Sequence, residues 1–187
     1  MLSENIRRSG LLGRPLLLPK EQSRDEIFIG WIMKILIVLA LSVLCGVLYR
    51  MGGAAGYITI FRDLGCAACM VASIVILFGI VSPVWWADVG SLIVVFAATW
   101  GALSTYRYFF KKPENYTCWY YLMHGFFVAL AIMPWAYVSG HLLSAGVRCI
   151  VCAGLVGIWS GLMKNPKWEE LGRGFIMNSS ILLLLLF

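Results

Sequence analysis

The sequence predicts an all-α fold: a polytopic membrane bundle of about six transmembrane helices joined by short loops. The 187 residues are 61% hydrophobic and 13% charged, whereas a soluble domain has about 25% charged residues. The mean hydropathy is +0.86. Apolar stretches that approach the roughly 20 residues needed to cross a bilayer recur along the chain. These observations exclude an ordinary water-soluble domain.

Two regions are expected along the chain. Residues 1–32 form a polar, flexible N-terminal tail, and residues 33–187 form the helix bundle. The tail lacks the long apolar core and the cleavage site of a secretory signal. Because Met33 and Lys34 directly precede an apolar run, Met33 is a candidate for the true start. The alternative is a genuine cytosolic tail.

Six apolar segments account for the predicted bundle. They lie at about 35–49, 64–82, 89–106, 118–137, 141–163 and 168–187, and the first has an alternative start near Phe28. The last is the weakest prediction, because its apolar part alone is too short to span a bilayer. Its start is well defined, since Asn165 suits a helix cap and Pro166 suits the first helical position.

Basic side chains concentrate in the odd-numbered loops, which the positive-inside rule places in the cytoplasm. These residues are Arg50, Arg62, Arg107, Lys111, Lys112, Lys164, Lys167 and Arg173. They are few and sit at span ends, so no nucleic-acid partner is predicted. The orientation leaves a basic tail outside. That conflict disappears if the chain starts at Met33 or if one span is miscounted.

Polar side chains collect within about two helical turns of the cytoplasmic face. Charged groups inside a membrane usually face a cavity or a partner. We expect an anion-binding pocket there, because a guanidinium donates two hydrogen bonds at once to a phosphate or carboxylate. The predicted ligand-binding residues are Arg50, Arg62, Asp63, Tyr106, Arg107 and Arg173.

The same region allows a catalytic interpretation. His124, six residues into the fourth span, is a candidate general base, and Glu169 or Glu170 a candidate acid or orienting group. A structural explanation stays open beside it. Arginines at span ends reach towards lipid headgroups, and Glu169 and Arg173 are spaced to pair along one helix.

Arg148 is predicted to lie inside the fifth span, where an arginine costs about 2.5–3.5 kcal/mol at the helix centre. Three explanations are open. The side chain reaches the outer headgroups, or it pairs with Asp88, a backbone carbonyl or the carboxylate of Phe187, or it lines an anion pathway.

Two Cys-x-x-Cys pairs, Cys66 with Cys69 and Cys149 with Cys152, are predicted at different depths. Four sulfurs at different depths cannot meet at one tetrahedral zinc ion. The cysteines are therefore expected to pack as small apolar residues, and neither a metal nor a cofactor is predicted.

The fifth span carries small residues at four-residue intervals: Ala153, Gly157 and Gly161. Such a face allows two helices to approach closely. It packs against a neighbouring helix of the same chain, or it forms a homo-oligomer.

Three short motifs carry a resemblance to a known group. They are LYRMGG at residues 48–53, HG at 124–125 and EELGRG at 169–174. Over about residues 35–187 the chain resembles uncharacterised integral membrane proteins encoded by phages and prophages. The resemblance implies a bacterial inner (plasma) membrane location and no particular activity.

Three functions are compatible with these patterns. The first is binding of an anionic small molecule or lipid headgroup, alone or as part of a channel or transporter. The second is an intramembrane enzyme that acts on a lipid or phospho-substrate. The third is a phage-encoded structural or host-interaction protein whose only partner is the lipid bilayer or another protein.

Overall fold

The computed structural model describes residues 24–51, 57–109 and 118–186, except for the side chains of residues 57–58 and 106–109. All regular structure within these ranges is helical, which confirms the all-α fold class. The elements are α1 (Arg24–Arg50), α2 (Tyr57–Phe78), α3 (Trp85–Phe109), α4 (Cys118–Leu130), α5 (Met133–Ser139), α6 (Leu142–Leu162) and α7 (Pro166–Ser179), followed by a 3₁₀ helix at Ser180–Leu186.

Four helices are long and apolar enough to cross a membrane: Arg24–Arg50, Thr59–Phe78, Trp85–Thr105 and Leu142–Leu162. Helices α4 and α5 meet at a bend of 40° and qualify together, which gives up to five spans. The sixth predicted span is not among the candidates in the described part of the chain. Its first helix, α7, carries Lys167, Glu169, Glu170 and Arg173, and these charges leave too short an apolar stretch.

Chain packing separates two units, Met1–Ile32 and Met33–Phe187. Of the first unit the structure describes Arg24–Ile32, the opening turns of α1, whose side chains are exposed. Helix α1 thus begins at Arg24, before both predicted starts, near residues 28 and 35. Asp25 and Glu26 favour this start, since carboxylates in the first turn interact well with the helix dipole. Residues 1–23 of the predicted tail lie outside the described residues.

The second unit has a continuous buried core that draws on every helix of the bundle. Its most completely buried apolar side chains include Val38, Met70, Ile74, Leu103, Trp135, Val156 and Leu184. Large apolar side chains such as Phe61, Leu143 and Ile150 are exposed on the outside of their helices. An apolar exterior around a packed interior is the pattern of a bundle surrounded by lipid.

Helices α1 and α7 approach each other at two glycines. A Cβ atom on Gly174 would lie 2.7 Å from the carbonyl oxygen of Cys45, and one on Gly46 would lie 2.6 Å from that of Leu171. Real Cβ atoms do not come so close. The backbones therefore touch at this level, which places Arg173 of α7 beside Tyr49 of α1.

Candidate functional site

A buried polar pair lies at one end of the second unit. The hydroxyl oxygen of Tyr49 on α1 is 2.7 Å from Nε2 of His124 on α4. Tyr49 is 5% exposed and His124 is 2% exposed. A hydrogen bond of this length between two buried groups satisfies both without water. It also ties the end of α1 to the first turns of α4.

Arg62 of α2 extends this pair. Its Nη1 donates a hydrogen bond to the backbone carbonyl of Tyr49 at 3.1 Å, and its guanidinium lies 5.3 Å from the centre of the Tyr49 ring. Nε of Arg62 is 3.5 Å from Oδ1 of Asp63. The hydroxyl of Ser104 on α3 donates to Oδ2 of Asp63 at 3.5 Å. Four helices, α1 to α4, therefore contribute to one network.

Arg173 of α7 completes the arrangement. Its guanidinium carbon lies 5.5 Å from the centre of the Tyr49 ring and 4.7 Å from that of Tyr121. Both distances fall within the range of cation–π attraction. Its Nε is 3.8 Å from Oε1 of Glu169, one turn earlier on the same helix. We call Tyr49, Arg62, Asp63, Tyr121, His124, Glu169 and Arg173 the polar cluster.

The ion pair between Arg173 and Glu169 is a loose one. At 3.8 Å the two atoms are beyond hydrogen-bonding distance. Among the described residues neither Nε of Arg173 nor Oε1 of Glu169 has a hydrogen-bond partner, although both atoms are buried. Buried polar atoms in folded proteins nearly always have a partner. The cluster thus contains a buried guanidinium N–H, that of Nε, which has no acceptor among the described residues.

Five predicted site residues come together in this cluster: Arg62, Asp63, His124, Glu169 and Arg173. Glu170, half-buried, stands three residues before Arg173 and acts on it electrostatically.

Arg50, another predicted site residue, does not join the cluster. Arg50 is exposed, because it follows Tyr49 directly and its side chain leaves the helix on another side. The structure does not group Arg50 with Arg62 and Arg173, and its part in anion binding stays a prediction. The side chains of Tyr106 and Arg107 lie outside the described residues.

Two tyrosines of the cluster were not identified from the sequence as site residues. Tyr121 belongs to the aromatic run at 119–121, which is typical of a membrane interface. A usable signal was its spacing from His124: residues three apart lie on the same helix face. Tyr49 sits beside Arg50 and is distinguished by no comparable pattern.

Arg148 occupies a second buried polar site, at 0% exposure. Its Nη1 donates to the carbonyl oxygen of Ala129 at 2.8 Å, and its Nη2 donates to that of Met177 at 3.0 Å. Its Nε donates to the hydroxyl of Ser180 at 3.1 Å. The side chain is fully buried and does not extend to the surface of the bundle. Of the partners expected from the sequence, the structure shows two backbone carbonyls.

The expected link between Arg148 and Asp88 is absent from these contacts. Asp88 is buried and its Oδ2 accepts a hydrogen bond from the backbone N–H of Ser82, before α3. Phe187, the other expected acidic partner, lies outside the described residues.

The two carbonyl partners of Arg148 lie at helix ends. Ala129 is in the last turn of α4, which stops where the chain bends into α5, and Met177 is in the last turn of α7. Carbonyls in a last turn lack the N–H of a following turn. Within a bilayer such groups need an internal partner. Arg148 supplies one to the carbonyl of Ala129 and a further donor to that of Met177, which also accepts from the hydroxyl of Ser180. Its contacts thus join the two helix ends, and an anion pathway at Arg148 stays a prediction.

A third polar contact joins three helices in the buried interior. Nδ2 of Asn178 on α7 donates to the hydroxyl oxygens of Ser42 on α1 and Ser73 on α2, each at 3.0 Å. All three residues are 0% exposed. This contact fixes the position of α7, and with it Arg173, against the other two helices.

The cysteines of the described residues are all free. Sγ of Cys66 lies 3.8 Å from the carbonyl oxygen of Cys45, a packing contact between α2 and α1. No group of three or more His, Cys, Asp or Glu residues in the described part of the chain is arranged to hold a metal ion.

The small-residue face of α6 is used partly within the chain. Cα of Ala153 would lie 3.1 Å from a Cβ on Gly125 of α4, and a Cβ on Gly157 would meet Cys118 at 3.4 Å. Gly161 has open space beside it. The intrachain packing explains the first two positions, and self-association through this face stays a prediction.

No family model, curated protein or solved structure matches the chain. The resemblance to phage and prophage membrane proteins therefore stays a prediction.

Proposed function

We propose that this protein binds an anionic group, the phosphate or carboxylate of a small molecule or lipid headgroup, at the polar cluster. The observation that carries the proposal is Arg173. Its guanidinium is buried between two tyrosine rings, and its Nε has no hydrogen-bond partner among the described residues.

A buried guanidinium N–H without an acceptor is costly. A hydrogen bond to a charged group contributes about 1.5–3 kcal/mol, and leaving the group unsatisfied forfeits that stabilisation. Glu169 compensates the charge but stays at 3.8 Å from Nε. A bound phosphate or carboxylate would supply the missing acceptor and meet the planar fork of the guanidinium with two parallel hydrogen bonds.

The side chains of the cluster are held in place by contacts within the protein. Tyr49 is held by His124 through its hydroxyl and by Arg62 through its carbonyl. Rings held in this way keep Arg173 in place before a ligand arrives. Pre-organisation of this kind reduces the ordering cost of binding.

We place the cluster near the cytoplasmic face of a bacterial inner membrane. The helix ends that meet there continue into the loops that carry most of the basic residues, including Lys164 and Lys167. Positive charge of this kind marks the cytoplasmic side. Labelling of a cysteine introduced at Lys164 in intact cells would test the orientation, with reaction only after permeabilisation as the expected result.

A second candidate function, an intramembrane enzyme, is favoured by the Tyr49–His124 pair. A histidine and a tyrosine joined at 2.7 Å can pass a proton to or from a bound substrate. The substrate would be a lipid or phospho-compound held by Arg173. His124→Ala should then abolish turnover while the anion still binds. A channel or transporter would instead show counterflow of the anion in liposomes.

Native mass spectrometry in mild detergent tests the binding proposal. Wild-type protein should carry a defined added mass, and Arg173→Gln should lose it. Lys164→Gln, an exposed cation near the same end of the bundle, is the matched control and should retain it. A clean unliganded mass in the wild type, or an added mass that persists in Arg173→Gln, would contradict the proposal and favour a purely structural cluster.

A further inference from the structure

The polar cluster and its border contain charges of both signs. Arg62 and Arg173 carry positive charges, while the carboxylates are those of Asp63, Glu169 and Glu170. A small anion that approaches Arg173 therefore also meets nearby carboxylates that repel it. A ligand that carries a cation beside its anion would meet both charges favourably.

The charges on α7 are ordered by depth. Glu169 and Glu170 lie in the first turns of the helix, next to the loop, and Arg173 follows one turn deeper. Four residues of helix rise about 6 Å. In a membrane phospholipid such as phosphatidylethanolamine, the phosphate is attached nearer the acyl chains and the ammonium lies beyond it. The order of charges along α7 matches the order of charges along that headgroup.

From this order we propose that the ligand of the cluster is the zwitterionic phosphoethanolamine headgroup of a membrane phospholipid. The phosphate binds Arg173, and the ammonium binds the carboxylates of Glu169 and Glu170. This inference rests on the proposed function, since it names the class of anion that the cluster takes.

The side chains around Arg173 suit such a headgroup. Glu169 keeps an oxygen, Oε1, without a hydrogen-bond partner among the described residues, so it has acceptor capacity for an ammonium. Glu170 is half-buried at the rim, where a headgroup enters from the lipid–water interface. An ammonium donates up to three hydrogen bonds and accepts none, which complements carboxylates.

Competition between two lipids in nanodiscs tests this inference. Protein is reconstituted in an equimolar mixture of phosphatidylethanolamine and phosphatidylglycerol, released, and its retained lipid identified by native mass spectrometry. The two headgroups share the phosphate, but only the first carries an ammonium. We expect wild-type protein to retain the ethanolamine lipid in about tenfold preference, the ratio that corresponds to 1.4 kcal/mol.

Variants test the phosphate contact of Arg173 and the ammonium contacts of Glu169 and Glu170 separately. The double variant Glu169→Gln, Glu170→Gln should still retain lipid, with the preference reduced to about onefold because the ammonium has lost its charged partners. Arg173→Gln should retain neither lipid, and Lys164→Gln should behave as the wild type. Arg173→Lys keeps the positive charge and should retain lipid more weakly, which covers the case in which Arg173→Gln does not fold.

Three results would overturn the inference. Equal retention of the two lipids by the wild type, together with loss in Arg173→Gln, would keep the anion site but reject the zwitterion. Undiminished retention in Arg173→Gln would reject the proposed function as well. Displacement of the lipid by equimolar water-soluble phosphoethanolamine would show that the site takes the free compound rather than a membrane lipid.

Discussion

Tyr49 on α1 and His124 on α4 are joined by a hydrogen bond of 2.7 Å in a region that excludes water from both side chains. The two residues are 75 positions apart in sequence, so the bond exists only in the assembled bundle. The Tyr49 ring also lies close to the guanidinium groups of Arg62 and Arg173, so one aromatic side chain contacts both arginines of the cluster. Tyr49 is for this reason the central residue of the site.

Removal of the Tyr49 hydroxyl should destabilise the protein. Tyr49→Phe keeps the ring and its contacts with the two arginines but leaves Nε2 of His124 buried without this partner. The expected loss is about 1–3 kcal/mol in the free energy of unfolding, the cost of an unsatisfied buried polar group. SDS titration in mixed micelles measures this difference in the free energy of unfolding between the variant and the wild type.

The matched control for this variant is Tyr137→Phe. Tyr137 is 77% exposed, so its hydroxyl is available to solvent or headgroups. This change should leave the free energy of unfolding within about 0.5 kcal/mol of the wild type. Equal stability of Tyr49→Phe and Tyr137→Phe would show that the buried bond contributes nothing.

Loss of the Arg148 guanidinium should destabilise the bundle more than loss of the Tyr49 hydroxyl. Arg148→Met preserves much of the side-chain volume but removes the guanidinium donor of the Ala129 carbonyl and one of two side-chain donors of the Met177 carbonyl, which keeps the Ser180 hydroxyl. A hydrogen bond to a charged group contributes about 1.5–3 kcal/mol, and Arg148 makes three of them. We expect a large fall in the yield of monodisperse protein and in its melting temperature.

Two comparisons make the Arg148 prediction specific. Arg148→Lys retains the charge but not the planar fork, and should recover only part of the lost stability. Arg50→Met removes an exposed arginine and should have little effect. If Arg148→Met melts within a few degrees of Arg50→Met, the three hydrogen bonds of Arg148 do not hold the helix ends.

The sequence is sufficient to predict the convergence of the cluster. Arg62, His124 and Glu169 lie near the starts of the second, fourth and sixth predicted spans. Successive membrane spans alternate in direction, so every second span starts on the same side. Charged groups at the same end are therefore brought to one side of the bundle, and their cost in lipid favours mutual contact. The positions of the apolar segments and of the charged residues are enough to predict that these groups lie on one side of the bundle.

The partners of Arg148 could not be chosen from the sequence in the same way. They are main-chain carbonyls, and any residue type supplies a carbonyl. Their availability depends on where α4 and α7 end, which the packing of the bundle decides. The sixth predicted span has a related difficulty: α7 is short and charged, and its 3₁₀ continuation at Ser180–Leu186 is not evident from composition.

The Asn178 contact should contribute modestly to stability. Asn178→Ala removes the donor shared by Ser42 and Ser73, but each serine also donates to a carbonyl of its own helix, at Val38 and Cys69. Because the serines keep a partner, we expect a loss of about 1 kcal/mol, within the range of interhelical hydrogen bonds in membranes.

A double-mutant cycle isolates this interaction. Asn178→Ala, Ser42→Ala and the double variant, compared by SDS titration, should give a coupling energy of about 0.5–1.5 kcal/mol. Strict additivity would mean that the 3.0 Å contact between the two residues carries no net energy.

The close approach of α1 and α7 should be sensitive to a single methyl group. In Gly174→Ala the new Cβ would lie 2.7 Å from the carbonyl oxygen of Cys45 and 2.8 Å from Cβ of Tyr49. The helices must separate to admit it, at a cost of about 1–3 kcal/mol. Separation also moves Arg173 from the Tyr49 ring, so lipid retention in nanodiscs should fall together with the free energy of unfolding.

Gly154→Ala is the control for this variant, because a Cβ at Gly154 meets nothing within 4 Å. Alanine is favoured over glycine inside a helix by about 0.5–1 kcal/mol. The control should therefore be at least as stable as the wild type and retain lipid fully. If both variants behave alike, α1 and α7 do not touch at Gly174, and the position of Arg173 beside Tyr49 has another origin.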